Sequence, residues 1–248
     1  MSVAAIYDIH ANLPALEAVL EEIRKTDAET IIVGGDVLPG PMPTQTLEFL
    51  EKLDIPTHCI CGNGEIAVLE QLAGKVPTAV PEPYRPIIRW TADQLDAEHQ
   101  RWLSTWPKTY TAHIHGVGDV LFCHATPRDE NEIFTRLTPA ERLLCVFDGL
   151  DASVVICGHT HMQFDRTIGA ARVVNAGSIG MPFGEPGADW LLLGPGIQLR
   201  HTSYDLMQAA ERIRATAYPQ AQDFAERNVL QPPSEAEMLK LFASAALR

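Results

Sequence analysis

No stretch of the 248-residue sequence approaches the ~18 consecutive apolar residues that a membrane-spanning helix needs. The opening residues, MSVAAIYDIHANLP, contain neither a basic segment nor a long apolar one, so we expect no signal peptide. Internal repeats and low-complexity segments are also lacking. These absences predict a globular cytoplasmic protein with no membrane association.

Positive charge is scarce. The sequence has 19 lysines and arginines against 32 aspartates and glutamates, which gives a net charge of −13. Such a surface repels phosphate backbones, so we expect no non-specific nucleic-acid binding. A small anionic substrate stays compatible with this charge, because bound metal ions can reverse the field locally.

Cysteines are few and odd in number. The sequence has five of them: Cys59, Cys61, Cys123, Cys145 and Cys157. Four stand in apolar, strand-like segments, and we predict buried, reduced thiols. No second cysteine pair follows Cys59 and Cys61 at zinc-finger spacing, which disfavours a structural zinc protein.

The first half of the sequence alternates predicted strands and helices. Residues 3–7, 30–35 and 58–61 are strand-like, and Asn12 precedes apolar residues at helical spacing. Residues 43–53 predict a second helix. Strands that alternate with helices in this way indicate parallel βαβ units.

The second half is mostly predicted strand. The predicted strands cover residues 110–115, 120–124, 153–157, 163–168, 172–175, 190–193 and 197–202, with a helix over 139–147. Between the halves, the proline-rich segment of about 75–107 predicts a helical insertion that covers one edge of the core. A helical tail follows from about residue 205, and we interpret residues 1–248 as a single domain.

Polar residues cluster where predicted strands end. Seven of them follow five different strands: Asp8, His10, Asp36, Asn63, His124, His159 and His161. The carboxyl ends of strands form the ligand crevice of open α/β sheets, so we expect these side chains on one rim. Imidazoles with carboxylates suit Mn, Fe, Co, Ni or Zn. Seven ligands predict two divalent ions that share a carboxylate, an arrangement that clamps phosphoryl transfer.

The ordered motifs resemble those of the calcineurin-like metallophosphoesterases, and especially of their small prokaryotic phosphodiesterases. The matching segments are Asp8-Ile9-His10-Ala11-Asn12, Gly35-Asp36, Gly62-Asn63, His124-Ala125-Thr126-Pro127-Arg128-Asp129, Gly158-His159-Thr160-His161 and the segment 174–182. The resemblance implies a four-layer αββα sandwich of two mixed β-sheets flanked by helices. It also implies metal-dependent hydrolysis of phosphate esters.

The resemblance further implies which residues bind metal. One ion would be bound by Asp8, His10, Asp36 and His161, and the other by Asp36, Asn63, His124 and His159. A hydroxide between the ions would attack phosphorus, with Asp36, Asn63 and His124 as the catalytic group. Two divalent ions are expected, manganese first, with iron, zinc, nickel or cobalt as alternatives.

Three positions depart from the family pattern. Gly64 stands where many members have a histidine that stabilises the transition state or protonates the leaving group. Glu65 is either a replacement acid or a residue that orients a ligand. Tyr7 and Ala125 replace smaller residues, which predicts a crowded pocket.

Two further residues are candidate substrate contacts. Arg128 would clamp a phosphate or form a surface salt bridge, and Asn12 would contact substrate or cap its helix. We expect a small phosphorylated or nucleotide substrate in a cleft narrowed by the insertion and tail, with diesters favoured over monoesters. Dinucleoside polyphosphates, cyclic nucleotides and phosphoproteins all remain open.

A second hypothesis is a catalytically weak scaffold on the same fold, which the lack of histidine at Gly64 favours. Against it, several buried ionisable side chains are costly when nothing pairs with them. A homo-oligomer is also open: Trp90, Trp102 and Trp106 are predicted core residues, with a dimer contact as the alternative.

Overall fold

The computed structural model describes residues 2–245. The first half of the chain forms the predicted alternation of strands and helices: β1 (Val3–Ile6), α1 (Leu13–Ile23), β2 (Thr30–Val33), α2 (Pro43–Glu51), β3 (Thr57–Cys59) and α3 (Asn63–Leu72). Strand β2 pairs in parallel with β1 and with β3. The strands β1 and β2 end one or two residues earlier than predicted, just before the polar motifs begin.

The insertion segment contains a short 3-10 turn (Glu82–Tyr84) and two helices, α4 (Arg85–Gln94) and α5 (Ala97–Leu103). The second half then forms β4 (Thr109–Ile114), β5 (Gly118–Cys123), α6 (Ala140–Phe147), β6 (Val154–Cys157), β7 (Phe164–Ile168), β8 (Ala171–Asn175), β9 (Ala188–Leu193) and β10 (Ile197–Thr202). The tail comprises α7 (Leu206–Arg214), α8 (Ala221–Phe224), a π-helix (Ala225–Leu230) and α9 (Glu235–Ala245).

The ten strands form two mixed five-stranded sheets, in the orders β10-β9-β1-β2-β3 and β4-β5-β6-β8-β7. Parallel strands occupy the centre of each sheet and antiparallel pairs complete it. Helices α1 and α2 cover the outer face of the first sheet, and α6 covers that of the second. The αββα sandwich implied by the motifs is therefore confirmed.

Strand β1 shows why its sequence reads as a continuous apolar run. Val3 and Ala5 face the second sheet, whereas Ala4 and Ile6 face the helices. Successive side chains of a strand point to opposite faces, so a strand buried on both sides must be apolar at every position. Because β1 is buried on both faces, its polar residues can begin only where the strand ends.

The insertion and the tail pack against each other and against α1. Ile87 of α4 shares one apolar cluster with Ile213 and Phe224 of the tail. An ion pair joins Arg212 Nη1 of α7 to Glu17 Oε2 of α1 at 2.6 Å. Among residues 2–245, no helix has both the length and the apolar content needed to cross a membrane.

The cysteines follow the prediction with one exception. All five are free, three of them are buried and Cys59 is partly buried. Cys145 is exposed, so the prediction of a buried thiol is wrong there. The residue lies on α6, a helix with one solvent-facing side, rather than in a strand buried on both faces.

Candidate metal centre

The backbone leaves its strands in an unusual conformation at the predicted ligands. Five of them have positive φ: 52° at Asp8, 47° at His10, 50° at Asp36, 66° at His159 and 56° at His161. Non-glycine residues adopt this left-handed region at an energetic cost, and such residues cluster at functional sites. The turns after β1 and β2 support each other, because Asp8 N donates to Gly35 O and His10 N donates to Asp36 O.

A first group of side chains comprises Asp8, His10 and His161, whose candidate ligand atoms lie within 4.8 Å of one another. Asp8 Oδ1 is 3.2 Å from His161 Nε2 and 4.0 Å from His10 Nε2. The two imidazole Nε2 atoms are 3.2 Å apart. All three side chains are almost completely shielded from solvent.

A second group comprises Asp36, His124 and His159, again with ligand atoms within 4.8 Å of one another. His124 Nε2 is 3.4 Å from Asp36 Oδ1, 3.2 Å from His159 Nδ1 and 2.9 Å from Asn63 Oδ1. The structure thus brings all seven predicted ligands together at the carboxyl ends of β1, β2, β5 and β6 and the start of α3.

Asp36 lies between the two groups. Its Oδ2 is 3.9 Å from His10 Nε2 of the first group, and its Oδ1 is 3.4 Å from His124 Nε2 of the second. One carboxylate with an oxygen toward each group is the arrangement that a shared ligand of two ions requires.

The outer nitrogens of three imidazoles face main-chain carbonyls. His10 Nδ1 is 3.3 Å from Pro39 O, His124 Nδ1 is 3.0 Å from Gly34 O and His161 Nδ1 is 2.9 Å from Met181 O. A carbonyl only accepts, so each Nδ1 carries a proton, and in the neutral imidazole Nε2 then presents a lone pair to the centre. This outer contact is the one that orients metal-binding histidines.

With neutral imidazoles, the two carboxylates of the centre have no positive charge beside them among the described residues. In these neutral forms the lone pairs of His10 and His161 face each other, and the buried Oδ1 of Asp8, 3.2 Å from His161 Nε2, lacks a hydrogen-bond donor within residues 2–245. Buried unpaired acceptors are costly. A cation among these atoms would satisfy all of them, so the donor set fits metal binding.

Burial and the charges of neighbouring ligands shift the pKa values of the centre in opposite directions. Burial opposes ionisation of Asp8, but the surrounding imidazoles, His161 first, outweigh burial and lower the pKa of Asp8. Burial and neighbouring His124 lower the pKa of His159 to about 4, and burial with His161 lowers that of His10. Near neutral pH, Asp8 is therefore ionised and His10 and His159 are neutral, as ligands must be. Burial opposes protonation of His124 and His161, but the carboxylates of Asp8 and Asp36 outweigh burial and raise the pKa of both imidazoles, so a bound cation would take the place of a proton there.

Glu65 secures the loop that carries Asp36. Its fully buried carboxylate accepts hydrogen bonds from the main-chain N–H groups of Asp36 at 2.9 Å, Leu38 at 2.9 Å and Gly62 at 2.8 Å. Burial and the nearby Asp36 raise the pKa of Glu65 to about 7 despite these donors. Of the two roles considered for Glu65, this geometry matches the orienting one, because both oxygens are engaged by the backbone.

The chain has no room for a histidine at position 64. A Cβ on Gly64 would overlap the carbonyl oxygen of Leu38 and lie 3.0 Å from Asp36 Oδ1. The amide of Gly64 also donates to Asp36 Oδ1 at 2.7 Å. Glycine here is a requirement of the close approach between α3 and the Asp36 loop, so its presence no longer favours a scaffold.

The two candidate substrate contacts are engaged elsewhere. Arg128 is exposed and pairs with Glu132, with Nη2 2.6 Å from Oε1. Asn12 is fully buried; its Oδ1 accepts from Ala15 N at 3.3 Å and its Nδ2 donates to Gly180 O at 3.0 Å. These contacts match the salt-bridge and helix-cap alternatives.

The predicted crowding of the pocket by Tyr7 and Ala125 is not found, because neither side chain lines it. Tyr7 is buried between the sheets, where its hydroxyl donates to Ile156 O at 3.1 Å. Ala125 is likewise buried, at 1% exposure. Tyr7 instead packs on Gly34 and Gly158, beneath the metal-binding loops.

A cavity of about 430 Å³ opens directly onto the two groups. His10, Asp36 and Asn63 line one part of it. The remaining walls come from α3, from residues 78–88 of the insertion and from residues 218–228 of the tail. The predicted narrowing of the cleft by insertion and tail is thus confirmed.

The sequence analysis did not identify three residues of α3 that line the cavity: Ile66, Ala67 and Glu70. They follow Asn63 at three, four and seven positions, the spacing that places residues on one face of a helix. That periodicity, counted from the metal motif, is the signal that identifies them.

The model of the calcineurin-like phosphoesterase superfamily domain matches residues 1–193. The chain belongs to this superfamily, which is metal-dependent, and the two groups described above are its candidate metal positions. Its 239-residue alignment with an uncharacterized protein of Methanocaldococcus jannaschii shows 28% identity and covers 88% of this chain and 94% of the relative.

Two solved structures share the fold. A hypothetical protein from Pyrococcus horikoshii OT3 superposes with a TM-score of 0.79 at 19% identity, over 94% of this chain and 99% of the other. A metallophosphoesterase from Sphaerobacter thermophilus gives a TM-score of 0.70 at 24% identity, over 91% and 97% of the two chains.

Proposed function

We propose that this protein is a dinuclear metal-dependent phosphodiesterase that acts on small molecules in the cytoplasm. The observation that carries the proposal is the pair of adjoining ligand groups with Asp36 between them. One ion would be held by Asp8, His10, Asp36 and His161, and the other by Asp36, Asn63, His124 and His159. Mixed imidazole and carboxylate ligands favour manganese, iron, cobalt, nickel or zinc over magnesium.

Bound ions would lower the pKa of water toward neutrality and neutralise charge on the phosphoryl oxygens. The residues of the chain would position these ions and their ligands. Backbone carbonyls hold His10, His124 and His161 in the tautomer that ligates, and Glu65 fixes the loop of Asp36. The cavity, with a volume of about 430 Å³, would accept the remainder of a small substrate, which favours small substrates over folded proteins.

Diesters are favoured because no described side chain near Gly64 offers an obvious acid for a poor leaving group. Arg128, the arginine considered as a phosphate clamp, is held by Glu132, which argues against tight binding of a doubly charged monoester. A small apolar cavity beside the centre suits a second ester group instead.

The test is hydrolysis of bis-p-nitrophenyl phosphate and p-nitrophenyl phosphate by metal-stripped protein, before and after manganese is restored. We expect turnover only with metal, faster for the diester. Asp36→Asn should reduce it by ~100-fold or more, since removal of one charged ligand weakens the site and its preorganised electrostatics. Absence of turnover with metal shown to be bound would refute the proposal.

A further inference from the structure

The cavity beside the metal centre contains no lysine or arginine among its lining residues within the described chain. It does contain three carboxylates besides Asp36: those of Glu70, Glu130 and Asp223. A site for a second phosphate or a polyphosphate chain needs cationic side chains. The lack of lysine and arginine among the described lining residues therefore limits which esters the cavity can accept.

Two of the three carboxylates have cationic partners. Lys108 Nζ lies 2.8 Å from Glu130 Oε2, and Arg227 Nε lies 3.1 Å from Asp223 Oδ1. The half-buried carboxylate of Glu70 has no hydrogen bond or ion pair with any residue in 2–245. Glu70 is the uncompensated negative charge of the cavity.

Helix α3 fixes the position of that charge relative to the metals. The helix begins at Asn63, whose Oδ1 contacts His124 Nε2 at 2.9 Å. Glu70 is seven residues further along the same face, which corresponds to ~10 Å at 1.5 Å per residue. A substrate with its phosphate at the metal centre would thus have its far end near Glu70.

Much of the cavity lining is apolar. Ile66 and Ala67 lie on the intervening turn of α3, while Ile87 and Ile88 of α4 and Phe224 of the tail line other walls of the cavity. Ile87, Ile88 and Phe224 are 7%, 4% and 4% exposed, so their positions are fixed by packing. Apolar walls of this kind bind alkyl or aryl groups.

From this arrangement we infer that the substrate is a phosphodiester whose second ester group is an apolar chain or ring ending in a neutral or cationic group, with Glu70 as the residue that selects against negative charge. The inference rests on the proposed function and narrows it. Dinucleoside polyphosphates and other esters with a second phosphate ~10 Å from the first are rejected, because Glu70 repels them and nothing in the cavity compensates.

The test uses three p-nitrophenyl phosphodiesters whose second ester is ω-aminohexyl, hexyl or ω-carboxypentyl. They share one leaving group and one chain length, so only the terminal charge differs. For the manganese-loaded protein we expect kcat/KM to fall from aminohexyl to carboxypentyl by about tenfold or more, the scale of one charge interaction in a partly buried site. Glu70→Gln should flatten this order, and Glu70→Lys should reverse it.

The matched control is Glu141→Lys, which makes the same charge change at an exposed position of α6 outside the cavity. It should keep the wild-type order. Equal kcat/KM for the three diesters, or an order that Glu70→Lys leaves intact, would overturn the inference while the proposed function stands.

Binding measurements separate the two proposals further. Calorimetry with aminohexyl-, hexyl- and carboxypentylphosphonate reports the same preference without turnover, and we expect the same order of affinity. If no diester is hydrolysed but the phosphonates bind in this order, the proposed function fails, and with it the assignment of a diester substrate, whereas charge selection by Glu70 is retained as a property of ligand binding. If the carboxypentyl compound binds as well as the aminohexyl one, the inference fails.

Discussion

Gly64 is explained by a single close approach. A methyl group there would overlap the main-chain oxygen of Leu38, and this neighbour cannot rotate away as a flexible side chain would. We expect Gly64→Ala to lower the free energy of unfolding of the metal-free protein by about 1–3 kcal/mol, the usual cost of forcing atoms into a packed site. Urea denaturation measures this change.

Gly196→Ala is the matched control for that experiment. A Cβ at Gly196 meets nothing within 4 Å, and its φ lies outside the left-handed region. Its stability should change by less than about 0.5 kcal/mol. Equal losses in both variants would show that the Leu38 contact yields easily, and the steric account of the missing histidine would then be wrong.

Glu65 is predicted to act on metal affinity through the Asp36 loop. In Glu65→Gln one oxygen is replaced by an NH₂ group, which cannot accept from the three main-chain donors together. We expect manganese affinity, measured by calorimetry, to fall about 10- to 100-fold, as for other residues that orient ligands. Glu141→Gln on α6 should retain wild-type affinity; a loss there as large as in Glu65→Gln would refute the positioning role.

Local sequence predicted the seven candidate ligands and an orienting role for Glu65 as one of two alternatives, but not the groups that Glu65 contacts. Asp8, Asp36 and His159 each follow an apolar strand directly, and strand ends meet at one rim whatever the details of packing. Glu65 lies 29 residues from Asp36, whose main-chain N–H donates to the Glu65 carboxylate. Arg128 had two equally open roles, a phosphate clamp and a surface salt bridge. Only the observed loop conformation, which pairs Arg128 with Glu132, distinguishes them.

At the scale of elements, the cap of α1 yields a separate prediction. Asn12 both accepts from Ala15 N and donates to Gly180 O. Asn12→Ala should cost about 1–2 kcal/mol of unfolding free energy through loss of the cap. Asn12→Ser keeps an uncharged acceptor at the cap and should lose less. Denaturation is the measurement, and a raised KM for bis-p-nitrophenyl phosphate at unchanged stability would instead identify Asn12 as a substrate contact.

The elements themselves were predictable to different degrees. Strand bounds were close, because buried strands are apolar throughout and end at polar motifs. Helix α3 received no assignment, since Gly62 and Gly64 at its start suggest a loop, yet the Glu65 carboxylate caps it by accepting from Gly62 N. Its cavity-facing residues were missed for that reason.

At the scale of the molecule, the cavity depends on contact between two segments distant in sequence. Trp90 of α4 packs edge-on against Tyr218 of the tail, with ring centroids 5.3 Å apart, and Tyr218 lines the cavity. The sequence predicted that insertion and tail narrow the cleft, but this pairing depends on how both dock on α1. Loosening it should therefore affect substrate binding before it affects metal binding.

Trp90→Ala tests this dependence, with Trp102→Ala as its matched control. Trp102 is also a half-buried tryptophan of the insertion and pairs with Trp106 at 5.1 Å, but it lies away from the cavity. Both variants should lose about 1–3 kcal/mol of stability through lost aromatic packing. Only Trp90→Ala should raise KM for the hexyl diester severalfold with kcat less affected, because the wall it supports contacts the ester chain rather than the reacting phosphorus. A similar rise in KM for both variants would mean that general loosening of the insertion, and not the contact between insertion and tail, shapes the cavity.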